Sequence, residues 1–477
     1  MGLAVLALPS LLVSIDLFVL LLAVLRLSGD LAASGTEQLW IIDIYGFLLS
    51  GFLITMGAVG DRLGRRRLLF AGAAVFGVAS VAAAYATDRI ALIVARALLG
   101  VAGAALGPTT LGLITTMFRD PKQRGTAIGI WLMSLMGGAA IGPVVGGVLL
   151  AHFWWGSVFL IAVPAMILLL ALGPVLLPKD EPAENHAKAP LELVSVALSM
   201  TAILLSVYGI KVLARHGAEP VPLFVLAGGL LVAVVFVRRQ RTLEDPLVDL
   251  RLFSKPTFRT ALGGMFVNTM LPGATMVLIT QDLQLVVGYP PLRAALAMLP
   301  AVAGGIVATQ VAPLAARRFR PGPLIAAGLA VSVAGLLLLA TAGEPATVVT
   351  GFALFNIGAG PLLTQGTGIV VGAVPPERAG SAASKAQTAN EFAFALGVAV
   401  LGSIAAAVYR AAAPAGAGDS LATAPAALLD GARAAYTDGL HVVAAISAVA
   451  MAIVALLCLR VFRHLPLRGV TQPPSSC

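Results

Sequence analysis

Charged residues and cysteines are both scarce in this chain. Asp, Glu, Lys and Arg make up only 11% of its 477 residues, whereas 59% are hydrophobic, and the mean hydropathy is +0.97. Soluble globular domains carry about 25% charged residues, so this composition excludes them and indicates a membrane protein with several spans. The two cysteines, Cys458 in an apolar run and Cys477 at the end, have no spacing typical of a disulfide or metal site, and we expect neither.

Sequence signals typical of an enzyme are also missing. No phosphate-binding loop of the form GxxxxGK(S/T) is present, and no nucleophile stands with a base inside an apolar run. The histidines fall in links or at the ends of apolar runs: His152, His186, His216, His441 and His464. We therefore expect no catalysis and no cofactor, and an ion gradient as the source of energy. An intramembrane transferase is the least favoured alternative.

The net charge of +9 raises the question of a nucleic-acid partner. The Lys and Arg residues stand in short links between apolar runs, where positive charge sets the orientation of a membrane protein. Most of them fall on one side of the predicted membrane, which favours cytoplasmic termini and an even number of spans. We expect a lipid bilayer around the chain, and no nucleic acid.

Runs of 18 to 25 apolar residues, about the length that crosses 30 Å of hydrocarbon, predict fourteen transmembrane helices. The first run has no basic leader or small-residue cleavage site, which favours a span over a cleaved signal. The predicted spans are 3–25, 38–60, 68–87, 90–117, 125–150, 154–177, 191–213, 221–237, 258–280, 294–315, 324–341, 346–373, 381–409 and 440–461.

A weak internal repeat divides the chain. Residues 57–72 end one span, turn through a basic link and begin another, and residues 312–328 do the same. Two six-span halves related in this way, with a solute site between them near the midplane, are a known transporter plan. The predicted domains are a six-helix bundle over 1–178, two inserted helices over 179–256, and a second six-helix bundle over 257–477 with an external loop at about 410–438.

Glycines recur every four residues in one apolar segment, 137–147. On a helix this spacing places Gly138, Gly142 and Gly146 on one face, where a second backbone can approach closely. Pro143 adds a rigid bend, which is tolerated where membrane neighbours satisfy the freed carbonyl. The segment predicts a tightly packed, kinked helix, and ordinary helix packing is an equal alternative.

The motifs resemble those of a known family. Residues 57–68, with fixed glycines and a lone Asp among arginines, resemble the cytoplasmic loop signature of the major facilitator superfamily. Residues 137–147 resemble its span-five antiporter motif, and residues 95–104 its span-four motif. With fourteen spans, and with residues 38–45 opening the second, the chain resembles drug:proton antiporters of the EmrB/QacA type.

This resemblance implies a major facilitator fold and roles for particular residues. Arg96 is implied in proton transfer, although a structural hydrogen-bond donor is an equal alternative. The resemblance also implies that Asp61 and the arginines beside it latch the cytoplasmic side when the transporter faces outward. The second half has Ala316 in place of this acid, so the latch should be one-sided. The latch residues are Gly57, Gly60, Asp61, Arg62, Gly64, Arg65 and Arg66, and the antiporter motif comprises Gly138, Gly142, Pro143, Gly146 and Gly147.

Two acids lie deep in predicted spans. Asp16 stands about 18 Å along the first helix, where a charge costs about 2.5 to 3.5 kcal/mol, so it should face a water-filled cavity or be protonated; a hydrogen bond to a neighbouring helix is the alternative. Phe18 and Leu25 replace the family's usual Thr and Pro after this acid.

Glu391 carries protons or recognises a cation, and these two roles stay open. Asp282 and Asp43 stand near outer span ends, where solvated acids are expected. Further cavity candidates are Asp43, Tyr45, Trp131, Asn268, Gln365 and Asn390.

The resemblance implies a monomeric, proton-coupled exporter in the bacterial cytoplasmic membrane. Its expected cargo is lipophilic organic cations, such as quaternary ammonium compounds and cationic dyes, moved by alternating access with protons as the second partner. A transporter of the same fold that carries a lipid, an amino acid or an uncharged antibiotic is the alternative.

Overall fold

The computed structural model describes residues 2–118, 120–178, 193–216, 219–243, 254–372, 379–418 and 420–464. Within these ranges the regular structure is helical. A π-helix, Asp282–Val286, and two short 3-10 helices, Leu421–Thr423 and Ala426–Leu428, accompany the α-helices. The α-helices are α1 Gly2–Asp30, α2 Gly35–Leu63, α3 Arg65–Ala84, α4 Arg89–Met117, α5 Pro121–His152, α6 Ser157–Leu160, α7 Ala162–Leu176, α8 Leu193–His216, α9 Pro220–Thr242, α10 Pro256–Gln281, α11 Pro291–Ala315, α12 Pro321–Leu339, α13 Pro345–Gly372, α14 Ala379–Ala412 and α15 Leu429–Phe462.

Twelve helical stretches in the described part of the chain are long and apolar enough to cross a membrane. This confirms a helical, multi-pass membrane protein, but the predicted count of fourteen spans is not supported. The two predicted spans that are not among these twelve lie in α2 and α5, whose apolar segments within the described residues are Trp40–Leu53 and Ile141–His152.

Some boundaries also differ from the sequence prediction. The first helix continues to Asp30, five residues beyond the predicted end of its span. The predicted sixth span is divided at Ile161 between α6 and α7. The segment predicted as an external loop, about 410–438, contains the end of α14 and the first turns of α15.

The helices pack as two groups with a pair between them. Helices α1 to α7 contact one another, as do α10 to α15, and the groups meet where α2 contacts α14 and where α5 contacts α11. Helices α8 and α9 pair with each other, and α8 contacts both α2 and α14. One inserted helix therefore lies against the junction of the two groups.

Helix α5 packs against α1 through the predicted glycine face. A Cβ on Gly138 would lie 2.4 Å from the Leu11 carbonyl oxygen, and one on Gly146 would lie 2.4 Å from Val19. A Cβ on Gly142 would lie 3.3 Å from the backbone of Ile15. Because Leu11, Ile15 and Val19 recur every four residues on α1, the two helices touch along matching ridges.

We expect Gly138→Ala to destabilise the protein and Gly129→Ala, on the same helix, not to. The added methyl at Gly138 meets the backbone of α1, an overpacking that costs about 1–3 kcal/mol. The site of Gly129 has no atom within 4 Å of a built Cβ, and alanine favours the helix by up to about 1 kcal/mol. Thermal unfolding in detergent measures both variants; an equal loss of stability would contradict the close approach of α1 and α5.

Candidate functional site

A buried ion pair joins α1 to α4. Arg96 Nη1 lies 2.5 Å from Asp16 Oδ2, and the two side chains are 0% and 4% exposed. Arg96 Nε also donates to the Ile41 carbonyl at 3.2 Å. The guanidinium carbon lies 4.3 Å from the centre of the Tyr45 ring, a cation-π distance. Each formal charge is therefore held by specific neighbours.

This arrangement changes what the sequence predicted for Asp16. The carboxylate does not face an open cavity; it is buried and bound to an arginine on a neighbouring helix, which was the alternative prediction. Arg96 contacts both an acid and a backbone carbonyl, and its two alternative roles, proton transfer and structural hydrogen bonding, stay predictions. Removing one partner of such a buried pair typically costs about 3–5 kcal/mol because the other charge is left uncompensated.

Tyr45 connects this pair to the second half of the chain. Its hydroxyl donates to the Val13 carbonyl at 3.2 Å, and its side chain is fully buried. Asp16, Arg96 and Glu391 all lie within electrostatic range of this hydroxyl. Three residues that the sequence singled out, Asp16, Arg96 and Tyr45, are thus brought together from α1, α4 and α2, and Glu391 of α14 acts on the Tyr45 hydroxyl electrostatically.

Glu391 lies where the two groups of helices meet. It is half-buried, and the neighbouring Phe392 ring lies 6.2 Å from that of Phe47 on α2. One turn further along α14, the Cβ of Ala395 lies 3.0 Å from a Cβ built on Gly46. The second predicted acid is therefore positioned at the contact between α2 and α14.

Asp43 is not the solvated acid that the sequence predicted. Its Oδ2 lies 2.9 Å from Lys211 Nζ, and both side chains are 0% exposed. The Lys211 ammonium also lies 4.3 Å from the centre of the Trp40 ring. Asp282, predicted to be solvated as well, is only 4% exposed. Position near a span end was a wrong guide to exposure. Helix α8 covers Asp43, and the surrounding helices of the second half cover Asp282.

Lys211 is the functional candidate that the sequence analysis missed. It stands alone among apolar residues near the end of α8. A single lysine inside a predicted span is itself a signal, since an intramembrane charge requires a partner. The solitary Asp43 of another span was the matching signal, but their proximity depends on how α8 packs.

Most of the other cavity candidates make packing contacts. Trp131 Nε1 donates to Thr110 Oγ1 at 3.1 Å, which joins α5 to α4. Thr269 Oγ1 donates to Asn390 Oδ1 at 3.4 Å. Two further amides donate to backbone carbonyls within the second half: Asn268 to Ala359 at 3.5 Å and Gln365 to Ala312 at 3.4 Å.

The basic motif after α2 forms a one-residue link. Gly64 has φ of +98°, a conformation that favours glycine, and α3 begins immediately after it. Arg65 Nη1 donates to the Gly112 carbonyl at 2.8 Å, and Arg66 Nη2 donates to the Pro174 carbonyl at 2.6 Å. These contacts tie the link to α4 and α7.

The remaining motif residues are placed as follows. Gly57 and Gly60 lie within α2, and Gly60 accepts from the Gly64 amide at 3.1 Å. Arg62 is half-buried. The Asp61 side chain lies outside the described residues, so its predicted latch contact stays a prediction.

The antiporter motif contacts both groups of helices. Helix α5 continues through Pro143, and Gly138, Gly142 and Gly146 face α1 as described above. A Cβ on Gly147 would lie 2.8 Å from Leu292 Cα, at the start of α11. This one segment therefore packs against its own half on one face and against the other half on another.

A small cavity lies between the halves, near the loop that joins α1 to α2. Its lining includes residues of α2, α10, α14 and α15, among them Gln38, Gln281, Tyr409 and Tyr436. The Tyr436 hydroxyl lies 3.0 Å from the Leu278 carbonyl, to which it donates. The polar groups of this cavity are amides and hydroxyls, so it is chemically distinct from the charged pairs.

Comparison with known proteins places this architecture in a family. A model of the Major Facilitator Superfamily matches residues 6–398. The multidrug efflux pump LfrA of Mycolicibacterium smegmatis is 39% identical over 471 residues, covering 94% of this chain and 93% of its own. The methyl viologen resistance protein SmvA of Salmonella typhimurium is 37% identical over 414 residues, covering 82% and 79%.

More distant similarity extends over the same length. The puromycin resistance protein pur8 of Streptomyces alboniger is 32% identical, covering 91% of this chain and 86% of its own. The inward-facing crystal structure of a bacterial homologue of the human lysosomal transporter Spinster shares the fold, with a TM-score of 0.70 at 17% identity, covering 97% of this chain and 96% of that one. The chain belongs to the Major Facilitator Superfamily and is a membrane transporter, not an enzyme.

Proposed function

We propose that this chain is a proton-coupled antiporter that exports lipophilic organic cations, such as quaternary ammonium compounds and cationic dyes, by alternating access. The observation that carries the proposal is the buried Asp16–Arg96 pair, whose neighbour Tyr45 also lies within the electrostatic influence of Glu391 in the other half. The relatives named as multidrug efflux and resistance proteins support export of drugs.

The chemistry follows from the cost of a charge in a membrane interior. A carboxylate there is stable when it is paired with a cation or neutralised by a proton, so a proton and a cationic drug compete for the same group. Protons from outside neutralise Asp16 or Glu391, the drug leaves, and the protons pass to the cytoplasm as the halves rock. Arg96 holds Asp16 between these events and so prevents an unpaired charge.

The proposal includes the topology of the EmrB/QacA type. Helices α2 and α5 have 29 and 32 residues, which at 1.5 Å per residue makes each longer than about 40 Å and sufficient to cross 30 Å of hydrocarbon. Adding them to the twelve spans gives fourteen. The proposed location is the bacterial cytoplasmic membrane, with both termini in the cytoplasm and the protein a monomer.

In proteoliposomes, acidifying the outside should drive ethidium movement through the wild-type protein. The double variant Asp16→Asn with Glu391→Gln should abolish this movement because neither group can then exchange a proton for a cation. Asp430→Asn is the matched control, since that carboxylate is fully exposed, and it should transport normally. Proton-driven transport that survives in the double variant would rule out the proposed coupling; loss of ethidium transport with retained transport of a neutral lipid or antibiotic would favour the alternative cargo.

A second experiment separates folding from coupling at the ion pair. Arg96→Gln should lower the stability by about 3–5 kcal/mol because Asp16 is left buried without its partner. Adding Asp16→Asn removes the orphaned charge, so the double variant should regain much of the thermal stability while transport stays absent. If the double variant lost as much stability as Arg96→Gln and Asp16→Asn lose in sum when measured singly, the pair would not be the interaction that holds these groups.

A further inference from the structure

The Asp43–Lys211 pair has a different composition from the Asp16–Arg96 pair. Trp40 and Asp43 lie one turn apart on α2, and Tyr208 and Lys211 lie one turn apart on α8. The two aromatic rings stand 6.3 Å apart, beside an ammonium that lies 2.9 Å from the carboxylate and 4.3 Å from the Trp40 ring centre. An acid and an indole face thus surround one ammonium group.

The hydrogen bonding of this pair is incomplete. Neither Asp43 oxygen nor Lys211 Nζ has a well-aligned hydrogen-bond partner among the residues that the structure describes, although all three atoms are buried. By contrast, Arg96 donates to both Asp16 and the Ile41 carbonyl, and of its nitrogens only Nη2 lacks a partner among the described residues. The Lys211 ammonium is therefore held by the charge of Asp43 and by the face of Trp40, which is the chemistry that recognises ammonium ions.

We propose that Asp43 and Trp40 form a second cation site, for a primary or small organic ammonium ion, and that Lys211 is its resident ligand. The ammonium belongs to an inserted helix rather than to either half. Lys211 fills the site with a cation of the chain's own, and an external ammonium ion occupies it when Lys211 is withdrawn. This goes beyond the proposed exchange at Asp16 and Glu391, which involves neither Lys211 nor Trp40.

Because of the position of α8, the Lys211 ammonium also affects the contact between the two halves. Val207, one turn before Lys211, packs with Phe47 of α2 and with Ala395 and Ala399 of α14. The ion pair therefore fixes α8 at the α2–α14 contact. When another cation occupies the site, this attachment of the inserted helix is released while the charge of Asp43 stays compensated.

The test is chemical rescue of Lys211→Ala. This substitution removes three methylene groups and the ammonium, whose shape and charge propylammonium reproduces. In the purified full-length protein, propylammonium chloride should raise the melting temperature of K211A in a saturable manner. Sodium chloride at equal ionic strength and 1-propanol, which lacks the charge, should not. The wild-type protein, whose site is filled, should show no saturable rise.

Two further variants locate the effect. Asp43→Asn combined with K211A removes both charges and should abolish the response, and Trp40→Leu combined with K211A should raise the half-saturating concentration severalfold because the aromatic face is lost. If K211A does not fold in sodium chloride, the yield of monodisperse protein purified with propylammonium is the readout. No response of K211A, or an equal response without Asp43, overturns the second cation site. Because the readout is stability, such a failure leaves the proposed export untouched.

Discussion

A charge removed from water must be compensated inside the protein, and this constraint organises the site. The chain has few charged residues, yet three acids and two bases among the described residues are almost fully buried, and four of these five form ion pairs between helices. One pair joins α1 to α4 and the other joins α2 to the inserted helix α8. The surroundings of both pairs come from one short stretch of α2. Ile41 and Tyr45 lie one turn apart and face Arg96, whereas Asp43, two residues from each, points about 200° away and meets Lys211.

Close backbone packing complements these polar contacts. Glycines of α5 let α1 approach along three successive turns, and Gly147 brings the start of α11 against the same helix. The Gly46–Ala395 contact does the same between α2 and α14, next to Glu391. In a membrane, where lipid is as apolar as the side chains, such van der Waals contact between small residues holds helices together. At both points a glycine of one half lets the other half approach closely, which suits the proposed rocking of the halves.

The sequence could predict features that depend on local spacing. The helical, multi-pass class followed from composition, and the glycine face of α5 followed from a four-residue repeat. Asp16 was identified because a charge inside an apolar run is costly, and Arg96 because residues 95–104 resemble the family's span-four motif. Their pairing was not predictable, since it depends on how α1 and α4 pack. The same limit made Asp43 appear solvated and left Lys211 unnoticed, because the helix that covers Asp43 lies more than 150 residues further along the chain. Asn268 and Gln365 have the polarity of cavity residues, but their amides meet backbone carbonyls of neighbouring helices.

The central claim is that a buried carboxylate exchanges a proton for an organic cation. The most direct measurement is proton release when tetraphenylphosphonium binds to the purified wild-type protein in weakly buffered solution, followed with a pH-indicator dye beside an independent measurement of occupancy. The account predicts that protons are released in proportion to bound cation. Full occupancy of the site with no change in pH would contradict it.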